Sequence, residues 1–419
     1  MDNLAVKAFA KINMRLEVRG KRPDGYHEIE TLFRGIALYD TLTLTKDSDG
    51  VTLILEGPDG GSGPGGWNVP EGRENLAWQA ADMLRKAYPE RVGGVRIRLK
   101  KRIPVAAGLG GGSADAAAVL LGMDRLYGLG LHSETLVAFA SRLGSDVPFC
   151  LAPLLAVGRG RGEMLEPLTL EALPAIRATQ APTHPSAPAQ GFPMWILLVK
   201  PPFGLSTGAV YNAWRPCAES ERVGRGSSFL LLQGMRDHNP AQVWRNMVND
   251  LQIPACTLES DLDAYIRWIG EEAAVAAAGS GDSADSCSVC SEAGLGEDDL
   301  RVADNGDKCV ARVTADQDAI SARAPAGYKV ILCGSGPTLA ACFAEEAPAR
   351  RLEERLRLSI GRLEERLRQS MGRRDERRGL QHRDEGVGAP AQSSDTVAEA
   401  PMILLTRTLA EEDLDGRFT

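Results

Sequence analysis

Residues 104–118, PVAAGLGGGSADAAA, constrain the fold more than any other stretch of the chain. The glycines Gly108, Gly110, Gly111 and Gly112 permit tight or left-handed backbone and let main-chain amides come close to a ligand. A helix of small residues, expected over Ser113–Leu126, starts directly after them. Its free N–H groups and the positive end of its dipole then face the same space as the loop. Loop and helix start together make a cradle for a polyphosphate. Lys101 and Arg102 just upstream favour that reading over a plain flexible turn. No Gly-Lys-Ser/Thr follows, so this is not a Walker loop. Nor does an acidic residue end a following strand at the distance a dinucleotide site requires.

The 419 residues suffice for two domains, and with 43% hydrophobic residues they can bury a sizeable core. A net charge of −8 and a pI near 5.4 argue against a general nucleic-acid or membrane-surface binder, because both need a basic field. Of the eight cysteines, Cys150, Cys333 and Cys342 sit singly in apolar contexts, a pattern of reduced thiols rather than a disulfide scaffold. Cys287, Cys290 and Cys309 lack a well-spaced fourth ligand and read as unpaired loop cysteines, not a zinc site. The best apolar run, around Trp195–Val199, is strand-sized, and none approaches the length of a membrane span. The N-terminus carries neither a secretory nor a transit pattern. A soluble protein is expected, cytoplasmic in a bacterium or stromal in a plastid-bearing eukaryote.

Strands are expected over Leu4–Phe9, Ile12–Val18, Leu42–Leu44, Val51–Leu55 and Val95–Leu99, and helices over Asn75–Tyr88 and Glu134–Leu143. The reading divides the chain into an N-terminal lobe (1–172), an inserted loop (173–193) and a C-terminal lobe (194–419). Within the last, insertions are expected at about 217–240, 271–325 and 373–400 from their polar or low-complexity composition. Arg351–Gly361 (RLEERLRLSIG) is nearly repeated by Arg362–Gly372 (RLEERLRQSMG). A period of eleven suits a helix with an aligned apolar stripe. The repeat reads as a solvated helix laced with Glu/Arg pairs in preference to a partner-binding or coiled-coil arm. Met402–Thr406 is the expected last strand.

Two side chains carry chemistry. Asp146 sits in a tight Gly-Ser-Asp-Val-Pro turn, and Lys11 lies on an apolar strand, an unusual place for a lysine without a partner. Meeting at an alcohol, such a pair could accept the proton and supply positive charge during phosphoryl transfer. Taken singly, Asp146 is equally an Asx-turn residue and Lys11 a snorkelling one.

The string GLGGGSADAA resembles the central motif of the GHMP kinases. AFAKINMRL (8–16), GKRPDGYHEIETL (20–32), LGSDVPF (143–149), WILLVKPPFGLSTGAVYNAW (195–214), VNDL (248–251) and CGSGPTLAACF (333–343) resemble, in order and spacing, the 4-diphosphocytidyl-2-C-methyl-D-erythritol kinase family. Cys333 departs from that pattern, and this chain is longer than typical members. The resemblance implies an α+β GHMP kinase fold, with an N-terminal lobe of the ribosomal-protein S5-like type and a C-terminal ferredoxin-like lobe. It implies ATP-dependent phosphorylation of the 2-hydroxyl of the cytidine-diphosphate-linked methylerythritol, in non-mevalonate isoprenoid synthesis, by a monomer or homodimer. Another GHMP kinase, of homoserine or mevalonate type, or a scaffold derived from one, are the alternatives.

Residue by residue, the resemblance makes Lys11 and Asp146 catalytic. It implies ATP contacts from Asn75, Lys101, Pro104, Val105, Ala106, Ala107, Gly108, Leu109, Gly110, Gly111, Gly112, Ser113 and Ala114, with Ser113 the candidate Mg²⁺ ligand. Asn75 also reads as a helix N-cap. For the acceptor it implies Asn13, Tyr26, His27, Asp146, Thr207, Tyr211, Gly334, Ser335 and Gly336, with Tyr26 and Tyr211 offering aromatic faces to a pyrimidine. Tyr26 and His27 equally read as surface residues of a hairpin tip after Asp24–Gly25.

Overall fold

The computed structural model describes residues 2–48, 50–56, 69–168, 192–216, 226–278, 327–385 and 400–418. Its spine is one long antiparallel hairpin. The expected short runs at the N-terminus merge into β1 (Asn3–Lys21), which pairs along β2 (His27–Asp47) with register shifts between Phe9 and Lys11 and between Asn13 and Arg15. Such bulges bend a strand and re-aim its side chains, and here they flank the buried polar residues Lys11 and Asn13. The other edge of β2 carries β4 (Gly94–Lys100) on one half and β5 (Leu155–Arg159) on the other. β3 (Gly50–Glu56) joins β4 in parallel and β6 (Met164–Pro167) closes the far side.

Helices α1 (Leu76–Ala87) and α2 (Gly111–Tyr127) cover this sheet, followed by α3 (Ser133–Leu143) and the short α4 (Val147–Leu151). α2 is alanine-rich because nearly every face is buried, from Ala114 through Met123.

The second sheet runs β10–β7–β9–β8, all antiparallel, from β7 (Trp195–Lys200), β8 (Tyr328–Leu332), β9 (Leu339–Phe343) and β10 (Met402–Arg407). Numbered within the sheet, the order is 4-1-3-2 with helices between its first and second and its third and fourth strands, the expected ferredoxin-like arrangement. β7 alternates its faces with period two. Ile196 and Leu198 join the core built on the first sheet, while Leu197 and Val199 join a second core under the outer helices.

Several expected insertions contain ordered structure. Helix Ser228–Arg236 lies within 217–240 and Pro240–Asn246 begins at its end; together they bury Leu231, Leu232, Met235 and Val243. Residues 271–278 complete the Asp261–Ala278 helix, and 373–385 continue the Glu346–Glu385 helix. Phe192, at the end of the expected 173–193 loop, is buried. In 228–246 a short apolar pattern is sheltered by tertiary contacts that composition does not register. Cys287, Cys290 and Cys309 lie outside the described residues.

The eleven-residue repeat is a helix whose outer face is solvated and laced with Glu/Arg pairs, as expected, but whose other face is buried. Leu352 and Leu363, then Leu356 and Leu367, recur on one buried stripe. They pack on the Asp261–Ala278 helix, whose Trp268 Nε1 donates to Ser359 Oγ at 2.9 Å. Arg355 and Arg362, one from each copy, converge on the buried Glu272 at 2.8 and 3.2 Å. Leu363→Ala is therefore expected to lower unfolding free energy by about 2–5 kcal/mol. Leu358→Ala, at a site 80% exposed, should stay within about 0.5 kcal/mol. Chemical denaturation of both variants checks this, and equal effects would contradict the packing.

Candidate active site

Lys11 is 4% exposed, and its ammonium points inward. Nζ donates to Asn13 Oδ1 at 2.9 Å, lies 3.2 Å from Asp146 Oδ2 and sits 5.5 Å above the Phe33 ring. Asn13 in turn donates to Thr31 Oγ1 at 2.7 Å, and Thr31 donates to the Arg15 carbonyl, which fixes the amide with its oxygen toward the lysine. This is not a snorkelling lysine: its charge is held inside by three partners. Nor does Asp146 act as an Asx turn or cap. It occupies the N-cap position of α4, yet its carboxylate makes no capping hydrogen bond and keeps 31% of its side chain exposed beside the lysine. The pair thus joins a buried cation to a reachable carboxylate.

The glycine loop closes over this pair. A Cβ on Gly108 would lie 2.0 Å from the Cys333 carbonyl oxygen, and one on Gly334 would lie 2.9 Å from that of Gly108. The loop and the Cys333–Gly336 turn therefore touch backbone to backbone, which no larger residue would permit. The same Gly334 position is 3.4 Å from Lys11 Nζ. Gly110 caps α2 in a left-handed conformation against the Lys11 stem, leaving the amides of Gly111, Gly112 and Ser113 at the helix start. Asn249, within VNDL, steadies the turn by donating to the Leu332 and Gly334 carbonyls at 2.9 and 2.7 Å. Thr207 and Ser335 share a hydrogen bond of 2.9 Å beside it.

Several expected ATP contacts stand elsewhere. Lys101 is buried, with its ammonium between Asp40 and Asp115. Asp40 also accepts from the Ile103 amide at 2.8 Å. Lys101 thus braces the loop from behind, and two buried carboxylates already hold its charge. Burial pushes Asp115 up to about 8, against the opposing effect of Lys101. Asn75 is spent as the α1 cap: Oδ1 accepts from the Ala77 amide and Nδ2 donates to the Pro70 carbonyl, each at 2.9 Å. The side chains of Pro104, Ala107, Leu109 and Ala114 are buried, so only their main chain can face a nucleotide. Val105, Ala106, Gly112 and Ser113 lie on the more open side. Among the described residues no group of three or more His, Cys, Asp or Glu could hold a metal.

A cavity of about 270 Å³ is lined by Arg19, Lys21, His27, Tyr211, Trp214 and Arg215. The His27 ring lies 5.2 Å from Tyr211, tilted by 32°, and 5.7 Å from Trp214, edge-on at 79°. Burial, then the Lys21 charge, lowers the pKa of His27, keeping the imidazole neutral with one donor and one acceptor. Burial raises the Tyr211 phenol and Asp146 raises it further, which puts cavity and pair within electrostatic reach. Tyr26 is not among these rings. It stands 55% exposed at the hairpin tip, with the Arg161 guanidinium 4.8 Å from its ring. Trp214 and Arg215 were not singled out from sequence, although Trp214 ends the very segment that carries Tyr211.

Removing the Lys101 charge leaves the buried Asp40 and Asp115 carboxyls without their cation. Lys101→Ala is expected to lower unfolding free energy by about 3–5 kcal/mol, read by denaturant titration. A variant as stable as the parent, with only nucleotide affinity changed, would contradict the bracing role.

Comparison with known proteins agrees with this geometry. The GHMP kinases N terminal domain matches residues 75–152, which span α1, the glycine loop, α2 and Asp146. A 4-diphosphocytidyl-2-C-methyl-D-erythritol kinase of Moorella thermoacetica is 40% identical over 274 residues, covering 65% of this chain and 85% of the relative. One from Synechococcus sp. is 38% identical over 259 residues, 61% of this chain and 74% of the relative. A crystal structure of 4-(cytidine 5'-diphospho)-2C-methyl-D-erythritol kinase superposes with a TM-score of 0.53 at 29% identity, covering 84% of this chain and 95% of that one. Homoserine kinase from Cytophaga hutchinsonii, at a TM-score of 0.51 and 17% identity, shares the fold. With its site assembled on that fold, the chain belongs to the 4-diphosphocytidyl-2-C-methyl-D-erythritol kinase family of the GHMP kinases.

Proposed function

We propose that the protein transfers the γ-phosphoryl group of ATP to the 2-hydroxyl of 4-diphosphocytidyl-2-C-methyl-D-erythritol, giving the 2-phosphate and ADP. The observation that carries this reading is the Lys11–Asp146 pair, 3.2 Å apart, under a glycine loop whose Gly110 packs on the lysine stem. The amides at the start of α2 would receive the ATP phosphates, whose charge favours the positive helix end. The cytosine ring would enter the cavity against Tyr211 and Trp214, with neutral His27 reading its hydrogen-bonding edge. Arg19, Lys21 and Arg215 would face the diphosphate.

That placement sets the acceptor hydroxyl at Asp146. Its carboxylate takes the hydroxyl proton as the oxygen attacks the γ-phosphorus, while the bond from phosphorus to the bridging oxygen breaks and ADP leaves. Lys11 offsets the charge gathering on the transferring group, and its position inside the protein costs no reorganisation at that moment. Asn13 and Thr31 hold Lys11 in place. Mg²⁺ would arrive with ATP and neutralise phosphate charge; of the residues at the cradle, Ser113 offers it a half-buried hydroxyl. The cavity beside Asp24–His27 favours this acceptor over a homoserine or mevalonate type. The scaffold alternative loses the support of the repeat, whose leucines pack in the second core.

Asp146→Asn should keep the fold and lower kcat by about 10²–10⁴-fold in a coupled ADP assay; full turnover by the variant would sink the reading. A second outcome concerns pH. Because His27 titrates below its ordinary value of 6.5, cytidine monophosphate affinity should be flat from neutral pH down to that value. It should weaken only as pH falls through the lowered pKa, when the imidazole gains a proton. Calorimetry across pH, repeated on His27→Gln, checks this. Loss of affinity on the alkaline side, or an unchanged acid limb in the variant, would contradict it.

A further inference from the structure

Residues 408–418 leave the second sheet and cross back over the first. Arg407, at the end of β10, grips Asp413 with two bonds of 2.8 Å, and Asp413 also accepts from the Ala410 amide at 2.8 Å. The Leu409 amide donates to the Gly35 carbonyl at 3.0 Å, and Arg34 donates to that of Leu409 at 3.1 Å. So guided, the segment delivers Arg417 to a buried position, 3% exposed, between two elements of the active site.

On one side it pairs with β1. The Lys7 amide donates to the Arg417 carbonyl at 2.9 Å, and Arg417 Nε donates back to that of Lys7 at 3.1 Å. On the other side it reaches α4, where Nη1 donates to the Leu151 carbonyl at 2.7 Å and Nη2 to that of Cys150 at 2.9 Å. The last carbonyls of a helix have no partner within it, and a cation belongs at that negative end. Burial lowers the guanidinium to about 10, so it stays charged at neutral pH. Thus a single side chain bridges the strand that carries Lys11 and the helix that Asp146 immediately precedes.

We infer that Arg417 is a positioning residue for the reaction, holding α4 against β1 so that Asp146 stays in register with Lys11. This rests on the phosphoryl-transfer reading above. Arg417 touches neither substrate nor the reacting atoms; it acts at the opposite end of α4, five residues long. Small misplacement of a reacting group is costly in rate and nearly silent in substrate binding, which gives the inference its signature.

The test uses the full chain and steady-state kinetics with ATP and the cytidyl acceptor. Arg417→Ala should lower kcat by about 10- to 100-fold with both KM values within about threefold. Arg417→Lys, which keeps the charge but not the fork that spans both carbonyls, should fall between the two. In an Asp146→Asn background, followed over long incubations, Arg417→Ala should cost less than about twofold more, because the group it positions is already gone. An unchanged kcat, a loss confined to KM, or the same drop in the Asp146→Asn background would overturn the inference. If the alanine variant does not fold, full kcat in the lysine variant overturns it equally. Wild-type activity in Asp146→Asn alone would instead count against the phosphoryl-transfer reading.

Discussion

A buried ammonium governs this structure. Lys11 sits in a strand whose neighbours are apolar, and an unpaired charge there would not be tolerated. It is held because segments far apart in the chain meet at its Nζ: Asn13 on its own strand, Phe33 on the partner strand and Asp146 from the turn before α4. Each partner is fixed in turn, Asn13 by Thr31, Phe33 by stacking on Phe149 at 4.9 Å, and the Asp146 helix by Arg417. The Asp146 carboxylate is therefore the reachable member of a network that is otherwise closed to solvent. Rigidity is what such a site needs, since transfer depends on geometry set in advance.

The two sheets serve that geometry in different ways. The first supplies Lys11, Asn13 and, through its loop, the open start of α2. The second supplies the Cys333–Gly336 turn, which presses on Gly108 so closely that neither backbone can carry a side chain there. Asn249 and the Lys101 triad brace these from opposite sides. Because one core runs from the first sheet into β7, β8 and β9, the loop and the turn are parts of one packed body.

Much of this was legible from sequence where local patterns decide the outcome. The glycine loop, the capped α1, the alanine-rich α2 and the last strand follow from propensity, period and capping residues. The pairing of Lys11 with Asp146 was readable only as two odd residues that needed partners. What stayed hidden depends on contacts distant in sequence. Nothing beside Lys101 announces that Asp40, 61 residues away, will bury its ammonium. Arg417 and Leu151 are 266 residues apart and share no motif. The repeat misled for a related reason: its charges dominate the composition, while four leucines on one face decide where it packs. Tyr26 and Tyr211 read alike as aromatic faces, yet one ends at a hairpin tip and the other in the cavity.

The central claim is that phosphoryl transfer takes place at the Lys11–Asp146 pair, from ATP at the glycine loop to an alcohol anchored in the aromatic cavity. Phosphorus NMR of the purified protein with Mg-ATP and the cytidyl acceptor follows that event directly. The account predicts a new phosphomonoester resonance growing on the acceptor in step with ADP, its diphosphate bridge intact, and absent with Lys11→Met. Inorganic phosphate appearing in place of the monoester, or a monoester formed equally well without Lys11, would contradict it.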